Sequence, residues 1–118
     1  MASEFFRIIH EQSVNVVELS LPQHLDSGEF DRLNESLLAL FGKHPDTGWV
    51  LDLSGLLYMG SSVLGLMVNV RQRVRDAGGR LALCGMSPRL LRIFQTCSLE
   101  RLFVIKSDRA EAVRAVAN

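Results

Sequence analysis

The sequence of 118 residues contains little cysteine and histidine, and these residues are poorly spaced for metal or redox chemistry. The two cysteines, Cys84 and Cys97, form no CxxC pair, and the three histidines form no HxxxH or HExxH pair. Common metal and redox sites need such spacings. We therefore expect no metal and no cofactor, and we expect both cysteines to be reduced and buried.

Long apolar runs and an export signal are also missing. The longest apolar stretches lie within residues 49–59 and 62–70, well short of the roughly 20 apolar residues that a membrane-spanning helix needs. Residues 1–7 show no basic segment followed by an apolar segment and a cleavage site, which is the pattern of a signal peptide. A cytoplasmic location is therefore the expectation.

Catalytic and nucleotide-binding motifs are absent as well. Gly60 and Ser62 supply part of a G-x-S-x-G motif, but its closing glycine is Leu64, and no histidine follows in the chain. Neither a P-loop nor a G-x-G-x-x-G motif occurs, and the evenly spaced Gly55, Gly60 and Gly65 are interpreted as loop and helix-packing glycines. We therefore predict that the protein is not an enzyme.

Asp52 raises the possibility of a phosphoacceptor aspartate of the receiver type, because it closes an apolar strand in a small α/β chain. Receiver domains have a regular alternation of strands and helices with an acidic pair after the first strand, whereas this chain opens with a hairpin. Short acidic side chains at such positions commonly accept hydrogen bonds from nearby backbone N–H groups. We favour that structural role for Asp52.

Charge is balanced overall but divided unevenly along the chain. Residues 1–60 hold nine carboxylates and three basic side chains, whereas residues 61–118 hold ten basic and four acidic side chains. Such a division could orient a charged partner, although we favour the interpretation that the charges mix once the chain folds. Arg71, Arg73 and Arg75 spread around a helix without an aromatic ladder, so no nucleic-acid partner is expected.

Hydrophobic periodicity predicts alternating strands and helices. Two strands over 5–10 and 14–21 form a hairpin, and strands over 49–53, 80–84 and 102–105 follow. Helices are predicted to begin at a cap formed by Asp26 or Ser27, at Ser61, at Ser87-Pro88, and at Ser107 or Asp108. The fold class is α/β, a single domain over residues 1–118. Its mixed sheet of about five strands has an N-terminal antiparallel hairpin followed by parallel strands, packed against about four helices.

The segment most informative about function runs from a buried strand through a loop to Ser61 and Ser62. A serine at a helix start can cap the free N–H groups of the first turn, or it can carry a phosphate that the helix dipole tolerates. Physical chemistry alone favours capping, with one serine capping and the other exposed. Tyr58 and Met59, which precede the serines, would be contact anchors if exposed and would merely close the loop if buried.

This segment resembles the STAS domain, the family of bacterial anti-sigma factor antagonists. The family's signature is an Asp at the end of a strand, a loop, and an Asp-Ser-Ser-Gly-Leu-Gly helix start, and Asp52 followed by residues 59–65 lies on it. The resemblance continues through Leu25-Asp26, Gly78-Gly79 and Ser87-Pro88 and covers roughly residues 14–116. Two residues depart from it, since Gly60 replaces the Asp and Val63 replaces the Gly after the serines.

The resemblance implies a partner switch in transcription regulation. The unmodified protein would bind an anti-sigma factor with serine kinase activity, and phosphorylation of Ser61, or as second choice Ser62, would end that binding. Gly60 removes a carboxylate near the kinase's target, and Val63 adds a branched side chain where glycine would allow close approach. The alternative is a non-phosphorylated STAS adaptor in a lipid-transport, anion-transport or stress-sensing complex, which would contact a membrane only indirectly. The implied partner-binding residues are His24, Asp26, Tyr58, Met59, Gly60, Ser61, Ser62 and Val63.

Overall fold

A computed structural model describes residues 5–117, which form five strands and four helices. The strands are β1 (Phe6–Glu11), β2 (Val14–Leu19), β3 (Gly48–Asp52), β4 (Arg80–Cys84) and β5 (Val104–Lys106). The helices are α1 (Ser27–Gly42), α2 (Ser61–Asp76), α3 (Pro88–Thr96) and α4 (Arg109–Val116). Across residues 5–117, none of these helices combines the length and apolar character needed to cross a bilayer.

The strands form one sheet whose spatial order, β1-β2-β3-β4-β5, is the order of the chain. β1 and β2 pair antiparallel around a tight turn in which Gln12 and Ser13 both have positive φ, the geometry of the tightest hairpins. All later pairings are parallel, joined by helical crossovers. The predicted mixed sheet with an N-terminal hairpin and four helices is confirmed.

Side chains alternate between the two faces of the sheet and form two separate cores. Val17, Leu51 and Leu83 belong to the larger core, which also takes in buried residues of α1, α2 and α3. The smaller core lies on the opposite face and is closed by α4. Its buried members are Val14, Val16, Val50, Ala82, Cys84, Ala112, Val113 and Val116.

Predicted caps hold three of the helices, and in each ambiguous case the aspartate is the cap. Asp26 accepts from the backbone N–H of Glu29 at 2.8 Å, and the Glu29 side chain accepts in return from the Asp26 N–H at 3.0 Å. Asp108 caps α4 by accepting from the Glu111 N–H. Ser87 caps α3 ahead of Pro88, as predicted. These caps determine where the loops around the candidate site end.

Three sequence-based expectations were wrong in detail. β2 ends at Leu19, two residues before the predicted end, and β5 begins only at Val104 because the Leu102 N–H closes a turn onto the Leu99 carbonyl at 3.0 Å. Cys84 is buried but Cys97 is exposed, because it lies at the C-terminal cap of α3, and both thiols are free. The helix period correctly identifies the inward face of α3 but does not cover its terminal residue.

Candidate functional site

Asp52 anchors the loop that joins β3 to α2. Its carboxylate is buried, and Oδ1 accepts from the backbone N–H of Ser54 at 3.0 Å and from the Ser54 hydroxyl at 2.5 Å. The other oxygen, Oδ2, accepts from the Arg109 guanidinium at 2.7 Å and 3.1 Å. The prediction that Asp52 binds a loop N–H is confirmed, and both of its oxygens are engaged in holding the structure.

Arg109 joins Asp52 to a wider ionic cluster on the α4 side of the sheet. Its guanidinium also donates to Glu18 on β2, and Glu18 accepts from Arg7 at 2.6 Å and 2.9 Å. Burial alone would raise the pKa of Asp52, but the hydrogen bonds from Ser54 and Arg109 outweigh it and lower that pKa below its ordinary value of 3.8. Hydrogen bonds from Arg109 and Arg7 likewise lower the pKa of Glu18. This cluster was missed by sequence reasoning.

Cys84 lies beside Asp52 in the register of β3 and β4. Burial, followed by the negative charge of Asp52, raises the pKa of the Cys84 thiol to about 12. A thiol in that state stays protonated near neutral pH, and it is the thiolate that acts as a nucleophile. The buried thiol next to the loop therefore has the properties of a core residue.

Ser61 and Ser62 are the first two residues of α2, and both are exposed. The N-cap position is occupied by Gly60, and no side chain caps this helix. The expectation that one serine caps the helix is therefore wrong, because each serine has already entered the helix and lies past the cap. Two hydroxyls consequently stand at the positive end of a helix and face solvent.

A groove of about 490 Å³ runs alongside the start of α2. One wall is the segment that links β2 to α1, residues 21–27, and the other is the end of loop 53–60 with the first turn of α2. The structure thus brings together all eight residues that the sequence predicted as partner-binding. These are His24, Asp26, Tyr58, Met59, Gly60, Ser61, Ser62 and Val63.

The groove is flanked by two apolar side chains that extend into solvent. Leu57 is 70% exposed and Tyr58 is 56% exposed, and the Arg89 guanidinium lies 5.8 Å from the centre of the Tyr58 ring, at a distance typical of cation–π contacts. A second cavity of about 510 Å³ lies on this side and includes Leu57, Tyr58 and Arg89 in its lining. Sequence reasoning named Tyr58 but missed Leu57 and Arg89.

Met59 and Val63 lie beneath the groove. Met59 is 2% exposed and Val63 is 8% exposed, and both belong to the larger core. The branched side chain of Val63 packs into the core, so little of its surface faces a partner. Both residues shape the floor of the groove, whereas Tyr58, Ser61 and Ser62 are exposed residues of its lining.

Gly65 was interpreted as a helix-packing glycine, and the structure does not support this. It lies one helical turn after Ser61 on the exposed side of α2, and a Cβ atom added there would meet nothing within 4 Å. A glycine inside a helix costs about 1 kcal/mol relative to alanine. Within residues 5–117 nothing packs on Gly65, so the bare backbone is available to a partner.

Gly60→Asp is expected to raise the free energy of unfolding by about 0.5 kcal/mol. The backbone at Gly60 is extended, with φ −79° and ψ 174°, and a Cβ atom would meet only the Tyr58 ring, at 3.9 Å. An aspartate there would cap α2 and complement its dipole, and each effect is worth a few tenths of a kcal/mol at such a position. Urea unfolding of both proteins measures the change. Gly60→Leu, which cannot cap, is the control, and equal stability in both variants would contradict the capping argument.

Comparison with known proteins identifies relatives across nearly the whole chain. The family model of the STAS domain matches residues 7–112. The anti-sigma-B factor antagonist of Listeria monocytogenes is 29% identical over 105 residues, which are 87% of this chain and 90% of that protein. Its counterpart in Bacillus subtilis is 28% identical over 104 residues, covering 88% and 94%. A solved anti-sigma-factor antagonist (STAS) domain protein from Planctomyces limnophilus superposes with a TM-score of 0.80 at 27% identity, covering 93% of this chain and 96% of that one.

Proposed function

Since this chain belongs to the STAS domain family, we propose that it is an anti-sigma factor antagonist which binds an anti-sigma factor with serine kinase activity through the groove beside α2. In this proposal the protein acts by binding and not by catalysis. Phosphorylation of Ser61 ends the binding, which makes Ser61 the residue that decides between the bound and the free state.

The observation that carries the proposal is the position of Ser61. Its side chain is exposed, it caps no helix, and it lines a groove flanked by the exposed Leu57 and Tyr58. Exposed aromatic and large aliphatic side chains are typical centres of protein interfaces. A serine kinase can therefore reach the hydroxyl, and the same surface offers the apolar area that a protein partner needs.

A phosphate on Ser61 would change the groove without unfolding the helix. It adds about −1.5 to −2 charges at neutral pH, and negative charge is favourable at the first turn of a helix. Binding of the partner becomes less favourable, because a bulky charged group must then be desolvated at the centre of the contact. The structure of the domain would stay the same while its affinity falls.

The modification is tested by incubating the protein with its cognate anti-sigma factor kinase and ATP and measuring intact mass. We expect the mass to rise by one phosphate in the wild type and in Ser62→Ala, and to stay unchanged in Ser61→Ala. Ser62→Ala is the matched control, since Ser62 is the neighbouring exposed serine of the same helical turn. Phosphate on Ser62 alone would move the switch by one residue. No phosphate on either serine would favour the constitutive adaptor.

Ser61→Asp is expected to leave the free energy of unfolding unchanged within ~0.5 kcal/mol, because a carboxylate is favourable in the first turn of a helix. The same substitution is expected to weaken binding to the anti-sigma factor about tenfold, which corresponds to ~1.4 kcal/mol. Calorimetric titration of wild type, Ser61→Asp and the neutral isostere Ser61→Asn separates charge from size. If Ser61→Asp binds as tightly as the wild type, Ser61 does not control docking.

A further inference from the structure

Large hydrophobic side chains are exposed at two places on the described surface. Among residues 5–117 the exposed ones are Leu57, Tyr58, Leu102 and Val104. The first two flank the groove beside Ser61. The other two, which are 37% and 47% exposed, lie at and just before β5, the strand at the opposite edge of the sheet from β1. This second pair does not line the groove beside Ser61.

Leu102 and Val104 line a separate groove of about 290 Å³ between the end of α2, the start of β4 and the end of α4. Within residues 5–117 its lining includes three arginines, Arg71, Arg75 and Arg80, and no acidic residue. We call it the arginine groove and define it by these five residues. Glu100, the carboxylate nearest to Leu102 along the chain, is not among the lining residues.

Two of these arginines are held in place by backbone carbonyls. The Nε of Arg71 donates to the carbonyl of Leu102 at 2.5 Å, and the Nε of Arg80 donates to the carbonyl of Val116 at 3.0 Å. Each contact orders a long side chain that would otherwise lose conformational entropy on binding an anion. The groove therefore presents positive charge that is already positioned.

Two of the arginines, Arg71 and Arg75, have charges that no carboxylate of residues 5–117 balances. Arg71 and Arg75 are one helical turn apart, a spacing at which like charges repel, and in the described chain neither has a carboxylate within ion-pair distance. The dipole of α2 favours a cation in its last turn, and this accounts for Arg75. It does not account for Arg71 or for the apolar pair beside it.

We propose that the arginine groove is a second docking surface, which binds an acidic segment of a partner protein with an apolar side chain seated between Leu102 and Val104. Charge complementarity requires carboxylates in that segment. The apolar pair favours a protein segment over a nucleic-acid backbone, and the concave shape favours a segment over a flat bilayer. Arg75 lies roughly 21 Å along α2 from Ser61, so both surfaces can be occupied together, and this proposal does not depend on the role of Ser61.

The proposal is tested with a fluorescein-labelled helical peptide that carries glutamates four residues apart around a leucine. Its controls replace the glutamates by glutamine or the leucine by alanine. Fluorescence anisotropy should show binding of the acidic leucine peptide, weakened about tenfold by Arg75→Glu because reversal turns attraction into repulsion, and also weakened by Val104→Ser. Amide chemical shifts should change around Leu102 and Val104.

The matched control is Arg92→Glu, which makes the same change of charge at an exposed position of α3 outside both grooves. It should bind the peptide as the wild type does, and so should Ser61→Asp. Circular dichroism verifies the folding of each variant, with Arg75→Gln as a milder second variant. The proposal is overturned if the acidic leucine peptide does not bind, or if the glutamine peptide binds as tightly as the acidic one. It is also overturned if Arg92→Glu loses as much affinity for the acidic peptide as Arg75→Glu does. It is equally overturned if Arg75→Glu abolishes self-association or phosphatidylserine-vesicle binding while the peptide does not bind.

Discussion

Gly48→Ala is expected to lower the free energy of unfolding by about 3 kcal/mol, the upper part of the range for overpacking a close contact. A Cβ atom at Gly48 would lie 2.4 Å from the carbonyl oxygen of Val116 and 3.1 Å from its carbon. Both are backbone atoms and cannot rotate away. Gly48 is also paired to Val14 on one side and Arg80 on the other, so β3 cannot retreat. The end of α4 must move instead.

Gly65→Ala is the matched control, because it makes the same chemical change where a Cβ atom meets nothing within 4 Å. At Gly65 we expect the free energy of unfolding to rise by about 1 kcal/mol, because alanine has a higher helix propensity than glycine. Urea unfolding of the two variants should therefore shift in opposite directions from the wild type. A loss of less than ~1 kcal/mol in Gly48→Ala, below the usual cost of overpacking, would mean that the end of α4 is free to slide along the sheet.

Arg109→Ala is expected to lower the free energy of unfolding by about 2 kcal/mol. It leaves the buried carboxylate of Asp52 and the partly exposed carboxylate of Glu18 without their shared cation. Removing one partner from a fully buried pair costs about 3–5 kcal/mol, and the exposure of Arg109 and Glu18 reduces that figure through solvent screening. Arg114→Ala, an exposed position on the same helix, should change stability by less than ~0.5 kcal/mol.

The same cluster makes stability depend on pH in acid. The pKa values of Asp52 and Glu18 are lowered by folding from ordinary values of 3.8 and 4.5, so the unfolded chain binds protons first as the pH falls. Their contribution is complete above about pH 5 and is lost as the pH falls through the lowered values. When the free energy of unfolding is measured with urea between pH 7 and pH 3, it should therefore fall less steeply with decreasing pH in Arg109→Ala than in the wild type. Equal slopes would mean that other carboxylates dominate acid unfolding.

Much of the fold was predictable because local patterns and tertiary structure agree. The strand predicted over residues 49–53 is observed as β3 (Gly48–Asp52), shifted by one residue and buried along its whole length, and the helix predicted over Ser61–Asp76 has those bounds. The capping signals at Asp26, Ser87 and Asp108 are also local, since each depends on a side chain and an N–H three residues later. Such features require no knowledge of distant contacts.

The features that sequence reasoning missed depend on tertiary contacts or on the backbone of one residue. Arg109 meets Asp52 across 57 positions of sequence, and Arg89 reaches Tyr58 only because α3 lies beside loop 53–60. The expectation that a serine caps α2 was wrong because the N-cap position falls on Gly60, which has no side chain, one residue before Ser61. The partner-binding surface was found through the family signature, and its binding role stays a prediction.

The smaller core has a consequence for synthesis on the ribosome. Its cover, α4, follows all five strands in chain order, and the nascent chain emerges at about 5–20 residues per second. The sheet can therefore assemble strand by strand, in the order in which its strands are translated, while Val16, Val50 and Ala82 still face water. A released chain that ends before residue 109 would carry all five strands but would expose the apolar face that α4 covers, and chains with exposed apolar surface are bound by chaperones and degraded by proteases.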